Sequence, residues 1–223
     1  MEDLMKLVTF LKRRPDMTRD AFVERWLTKH APMAAVFPGL RKYTLSGSCG
    51  PESEADAFAE LWFDDRQACQ AAYSSEVGRS GSGDANAYTS RRAQALLDEV
   101  WLTPDVGRVG EKVVLAVKRP EQTARQDFVA WWQGEVGRQV APLIGERQAR
   151  LCFDRVGLVL NSDPQSSDGL RRAEGEVDGL LEIWTSPNES PESVATRLEP
   201  FLASIRSLGI RAELLMLREN RIV

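Results

Sequence analysis

The chain repeats itself. Lys6-Leu7-Val8-Thr9-Phe10-Leu11-Lys12-Arg13 returns as Lys112-Val113-Val114-Leu115-Ala116-Val117-Lys118-Arg119, and the same offset aligns Arg19 with Arg125, Phe22 with Phe128, Val23 with Val129 and Trp26 with Trp132. Farther on, Asp56-Ala57-Phe58-Ala59-Glu60-Leu61-Trp62 matches Asp178-Gly179-Leu180-Leu181-Glu182-Ile183-Trp184. Two separated blocks in the same order indicate a duplicated unit, which limits the fold to architectures built from two copies. A chain of 223 residues is long enough for each copy to hold its own core. We place the first unit at 1–105 and the second at 111–223, with a linker at 106–110 inside the turn-rich stretch Thr103 to Gly110.

Periodicity gives both units one order of elements. In the first, strands are expected at 5–11, 40–47, 57–63 and 96–102, with a helix after Pro15 capped by Thr18 and another near 65–76. In the second, strands fall near 112–117, 149–160, 177–185 and 210–217, with helices near 124–141 and 191–207 and a long polar hairpin loop at 161–175 that reads as mobile. The order βαββαβ is that of a ferredoxin-like unit. Several strands are apolar on both faces, Val113, Leu115 and Val117 against Val114 and Ala116, for example. Helices cover one face, so the other must be covered by the sheet of the second copy. The expected fold class is α+β: two tandem ferredoxin-like units packed sheet to sheet as a barrel within one chain.

Composition narrows the chemistry. A net charge of −4 gives no cationic field for phosphate backbones, so nucleic acid is not an expected partner. Cys49, Cys69 and Cys152 are odd in number and widely spaced, which argues against disulfides or zinc. Neither a signal-like apolar run nor a membrane-spanning stretch occurs, so the expected setting is the cytoplasm, with no membrane partner. The chain has a single histidine, His30. That removes three-His zinc sites, HExxH proteases and the two-His-one-carboxylate iron triad, and no metal site is expected.

Phe22, Trp26 and His30 recur every four residues on the first helix, so the imidazole ends an aromatic row. Spacing alone fits a packed histidine as well as a general acid/base. The duplicate supplies a control: it keeps Phe128 and Trp132 but has Val136 where the first unit has His30. A purely structural histidine would serve both copies equally, so one functional pocket is expected, in the first unit. Phe10, Trp26, Trp62, Tyr43 and Tyr88 are candidate walls beside Phe22, the two tyrosines because a buried hydroxyl needs a partner. Glu60 is carried as a candidate contact, a carboxylate between Phe58 and Trp62, although its persistence as Glu182 in the copy without histidine favours a structural ion pair. The Gly-containing stretch Tyr73 to Ala87 lacks the lysine and the context of a phosphate loop.

Taken together, Lys6 to Thr18, then Phe22, Trp26 and His30-Ala31-Pro32, then Pro38-Gly39-Leu40-Arg41-Lys42-Tyr43 and Ala59-Glu60-Leu61-Trp62-Phe63, resemble an EthD domain of the dimeric α/β-barrel superfamily. The resemblance is good across 4–102 and degraded across 111–218. It implies that two ferredoxin-like sheets join, here in tandem form, and that ligands sit between sheet and helices. It matches His30 to the family's helix histidine and Tyr43 to the aromatic after its Pro-Gly turn. Similar proteins include cofactor-independent monooxygenases, muconolactone-type isomerases, decarboxylases and dehydratases of aromatic polyketides, and haem-using peroxidases and chlorite dismutases.

The leading expectation is a cofactor-independent enzyme acting on a hydrophobic aromatic small molecule by proton transfer, as lyase, decarboxylase, dehydratase or isomerase. His30 would move the proton, Tyr43 would orient the substrate, and Phe10, Phe22, Trp26, Trp62, Tyr88 and Glu60 would contact it. The alternatives are an oxygen-using monooxygenase and a binding protein without chemistry. No cofactor is expected; one histidine would give haem a single axial ligand. The assembly is expected to be a monomeric pseudo-dimer or a homodimer.

Overall fold

The computed structural model describes residues 4–107, 110–160, 170–172 and 175–223. The first half runs β1 (Met5–Arg13), α1 (Arg19–Arg25), a π turn (Trp26–His30), α2 (Ala31–Ala34), β2 (Leu40–Ser48), β3 (Ala57–Phe63), α3 (Arg66–Ser74), α4 (Glu76–Asn86) and β4 (Thr89–Trp101). The second runs β5 (Glu111–Lys118), α5 (Arg125–Trp131), a π turn (Trp132–Val136), α6 (Gly137–Ile144), β6 (Ala149–Phe153), β7 (Leu158–Leu160), β8 (Leu170–Arg172), β9 (Gly179–Trp184), α7 (Pro191–Ser207) and β10 (Arg211–Arg221). The small hairpin β7–β8 is not hydrogen-bonded into the barrel and packs beside β4. Most of the loop expected to be mobile, and part of the linker, lie outside the described residues.

Each half lays its strands in the same spatial order around the ring, β4-β1-β3-β2 and then β10-β5-β9-β6, and all pairings are antiparallel. The halves join edge to edge, β2 with β10 and β4 with β6, into one closed eight-stranded barrel. Closure leaves none of the eight strands with a bare edge. The strands that read as apolar on both faces divide accordingly. Val113, Leu115 and Val117 pack outward under Phe128, Trp132, Leu198 and Leu202, while Val114 and Ala116 point into the barrel with Val8, Phe10 and Leu180.

The repeated residues hold the repeated geometry. Asp56 accepts from the Arg13 backbone N–H at 3.0 Å and pairs with its guanidinium, and Asp178 does the same with Arg119 at 3.0 and 2.6 Å. Both carboxylates are inaccessible to solvent, so each lock fixes the end of one strand against the start of another.

One helix departs from expectation. The glycine-containing stretch beyond the helix expected near 65–76, to which periodicity assigns no element, forms α4. Ser75 caps it by accepting from the Gly78 N–H at 3.0 Å. Tertiary contact overrides weak propensity: a β-carbon on Gly78 would lie 2.1 Å from the Ala72 carbonyl oxygen, and one on Gly81 would lie 3.2 Å from the Phe37 ring. Glycine is what lets α4 approach. β4 likewise starts earlier than expected, at Thr89 rather than 96, because Phe10, Leu11 and Lys12 of β1 supply partners for Ala93, Arg92 and Arg91.

Candidate active site

The first helix carries the histidine to its place. Thr18 caps α1 by accepting from the Ala21 N–H at 3.2 Å, and Phe22 and Trp26 are buried against the outer face of the sheet. At Trp26 the helix widens into a π turn, in which the Ala31 N–H donates to the Trp26 carbonyl. In an α-helix residues five apart diverge by roughly 140°; a π turn brings them to one side. Arg25 and His30 therefore reach the same partner. Asp84, projecting from α4, receives the Arg25 guanidinium at 2.7 and 3.2 Å and faces His30 Nδ1 at 3.1 Å.

The His30 side chain is 13% exposed. Burial pushes its pKa below the ordinary histidine value, opposed by the hydrogen bond and charge of Asp84 and assisted by the charges of Arg92 and Arg25. Asp84 itself is held below the usual carboxylate range, first by its hydrogen bond with Arg25. At neutral pH the pair is thus an aspartate beside a neutral imidazole. The proton then sits on Nδ1, donated to Asp84, and Nε2 is left with its lone pair. Tyr88 backs the assembly: its ring lies 5.5 Å from the imidazole, edge-on, and 4.4 Å under the Arg25 guanidinium.

His30 lines a cleft between the outer face of the sheet and the helices, with Thr9 and Leu11 of β1, Tyr43 of β2, Leu61 of β3 and Gln94 of β4 on the sheet side. Trp26, Phe37, Tyr73 and Ser82 close the helix side. The cleft spans about 420 Å³ to its mouth, yet water-sized spheres can be centred in only about 40 Å³ of it. That is room for about three waters. Burial pushes the Tyr43 phenol far above its ordinary range, so it is a hydrogen-bonding group and not a base.

The residues singled out from sequence divide into two places. His30, Trp26 and Tyr43 line the cleft, and Phe22 and Tyr88 stand directly behind it, in ring contact with Trp26 and His30. Phe10, Glu60 and Trp62 do not join them: they alternate to the opposite face of β1 and β3, inside the barrel or at its ends. Glu60 is fully buried there, with Lys6 at 2.7 Å, Arg150 at 2.5 Å and Lys112 also paired to it. It therefore cannot contact a ligand beside His30, and the structural ion pair replaces the expectation of substrate contact. Asp84, Arg25, Arg92 and Gln94 escaped sequence reading. Asp84 lies 54 residues from His30, in a stretch to which periodicity assigns no element, and no spacing rule links the two.

In the second half Val136 takes the position of His30, at the end of the equivalent π turn. It is fully buried among Val140, Leu198 and Leu202. An apolar, untitratable side chain thus stands in the duplicate where the first half has its imidazole.

Known proteins bear on the first half most directly. Residues 14–91 match the EthD domain. The EthD match covers α1, the π turn with His30, and α4 with Asp84. An EthD family protein from Bacillus halodurans is 24% identical across 41% of this chain and 96% of its own, with a TM-score of 0.37. An anthrone oxidase-like protein aligns over 100% of this chain and 94% of its own at 12% identity and a TM-score of 0.59. A proposed monooxygenase of Fusobacterium nucleatum aligns over 98% and 94% at 10% identity and a TM-score of 0.56. At such identities the likeness is one of fold, and the fold is the pseudo-dimeric α+β barrel. No curated protein matches the chain.

Proposed function

We propose that the EthD unit is an enzyme that removes a proton from a small aromatic substrate held in the His30 cleft. The observation that carries this reading is the Asp84–His30 pair at 3.1 Å in the lining of a mostly apolar cleft; with Nδ1 donating to Asp84, Nε2 is the nitrogen that takes the proton. Asp84 orients the ring and stabilises the imidazolium as it forms, and Arg25 keeps Asp84 ionised. Tyr43 donates a hydrogen bond to the oxygen on which charge develops, and the walls exclude water that would weaken both effects. The conjugate acid then returns the proton to another carbon, which is the course of an isomerase, or to a departing hydroxyl, which is that of a dehydratase.

The anthrone oxidase-like and monooxygenase-like relatives of the fold support a second course from the same first step. The carbanion reacts with dioxygen, one oxygen atom converts a CH₂ to C=O, and the other leaves as water. An oxygen electrode separates the two courses.

Deuterium uptake from D₂O at the benzylic carbon of a panel of enolisable aromatic ketones, phenylacetone among them, tests the shared step. His30→Ala and His30→Gln should each slow exchange by about 10²–10⁴-fold. Exchange near the wild-type rate in both variants sinks the reading.

A further inference from the structure

Among the described residues, one charge in the cleft has no carboxylate to balance it. Arg92, on β4, is partly buried and lines the cleft with His30. It donates to two neutral acceptors, Nη1 to the Ser82 carbonyl at 3.3 Å and Nη2 to Asn86 Oδ1 at 2.5 Å. A guanidinium has five N–H donors, so three remain. Among the described residues no carboxylate pairs with it, whereas Arg25 has Asp84, Arg13 has Asp56 and Arg91 has Glu176. The groups that face it electrostatically are the phenols of Tyr88 and Tyr73, both pushed up by burial and neutral. Asp84 and Arg25 cancel and His30 is uncharged, so the described residues of the cleft carry one net positive charge.

A partly desolvated cation without a counter-ion costs free energy that an incoming anion recovers. One net positive charge matches a monoanion better than a phosphate. The walls, Trp26, Phe37 and Tyr43, suit one planar ring, for which the cleft must widen beyond its present room for about three waters. We propose that the His30 cleft takes a single-ring aromatic carboxylate, with the carboxylate on the remaining donors of Arg92 and the ring between Trp26, Phe37 and Tyr43. This rests on the cleft being the substrate site but does not require His30 to be the base. It has a consequence for His30, which faces Asp84 from α4, Arg25 from α1, Arg92 from β4 and the Tyr88 ring. The Arg92 charge disfavours the imidazolium, so an anion bound to Arg92 relieves that opposition and raises the His30 pKa.

Calorimetry with benzoate and its neutral isostere benzamide, near pH 8, tests the proposal. Wild-type protein should prefer benzoate by about tenfold, the value of one charge-assisted hydrogen bond. Arg92→Gln should abolish the preference, Arg92→Lys should retain part of it, and His30→Gln should leave it intact. Because the chain has one histidine, a single imidazole resonance reports the second effect: saturating benzoate should raise the His30 pKa and benzamide should not. No saturable benzoate binding, equal affinity for the two probes in wild type, or a preference that survives Arg92→Gln in folded protein overturns the proposal. If Arg92→Gln erases the preference while deuterium exchange survives His30→Gln, the carboxylate site stands and the base assignment alone falls.

Discussion

His30 and Asp84 form a pair in which each sets the other's charge, and substitution of either is legible as a shift with pH. Asp84 opposes the desolvation that lowers the His30 pKa. In Asp84→Asn that opposition is lost, so the acidic limb of the activity profile should move to lower pH. The plateau rate should fall by about 10–100-fold as the ring loses its orientation, and a pH–rate profile reads both changes. Stability carries its own sign. A histidine whose folded pKa is depressed contributes stability that is present above its unfolded value, about 6.5, and lost as pH falls through the folded value. Denaturant unfolding at pH 7.5 and pH 5 should therefore show a larger loss for wild type than for His30→Gln. The histidine was legible from its uniqueness and from its absence in the duplicate. Its partner was not, because the Asp84 bond depends on how α4 packs and the shared reach of Arg25 depends on a π turn that i, i+4 spacing does not foresee.

Helix α4 is the element on which the cleft depends, and its glycines are unequal. A β-carbon at Gly78 would collide with backbone at 2.1 Å, one at Gly81 would press on the Phe37 ring, and one at Gly83 would meet nothing within 4 Å. Gly83→Ala should thus stabilise the protein by about 0.5–1 kcal/mol through helix propensity. Gly78→Ala should destabilise it by about 2 kcal/mol or more, because backbone cannot move aside as a side chain can. Gly81→Ala should do little to stability but reduce ligand affinity, since Phe37 gives way into the cleft. Thermal melts of the three variants, with benzoate titrations of the third, check the order. The strands from 57–63 and the helix 191–207 coincide with what their periodicity predicts. For α4, propensity and packing disagree, and packing prevails.

At the scale of the molecule, the barrel interior is held by charge as much as by apolar contact. Lys6, Lys112 and Arg150 meet Glu60, Glu182 and Glu219 with almost no solvent, and Glu99 reaches Arg150 at 3.1 Å from the barrel end. Burial alone would raise the Glu182 pKa, but Arg150, Lys6 and Lys112 outweigh it and hold the carboxyl well below its usual range. Glu182→Gln should therefore cost about 3–5 kcal/mol by leaving buried cations uncompensated, measurable as a fall in the denaturant midpoint. The repeat Lys6/Lys112 and Glu60/Glu182 was visible in the sequence, and with it the order of elements and the pairing of two sheets. What was not visible is that these residues salt-bridge across the repeats, because Arg150 stands where the first half has Thr44, each opposite its glutamate in register.

The seams β2–β10 and β4–β6 bind the halves into one ring. Severed between its copies, either fragment would present two raw strand borders and a concave face whose lysine and glutamates had lost their complement in the sibling. Such a fragment has an obvious remedy in a second copy of itself, and homotypic pairing, not a lone folded half, is the fate the ring prescribes for it.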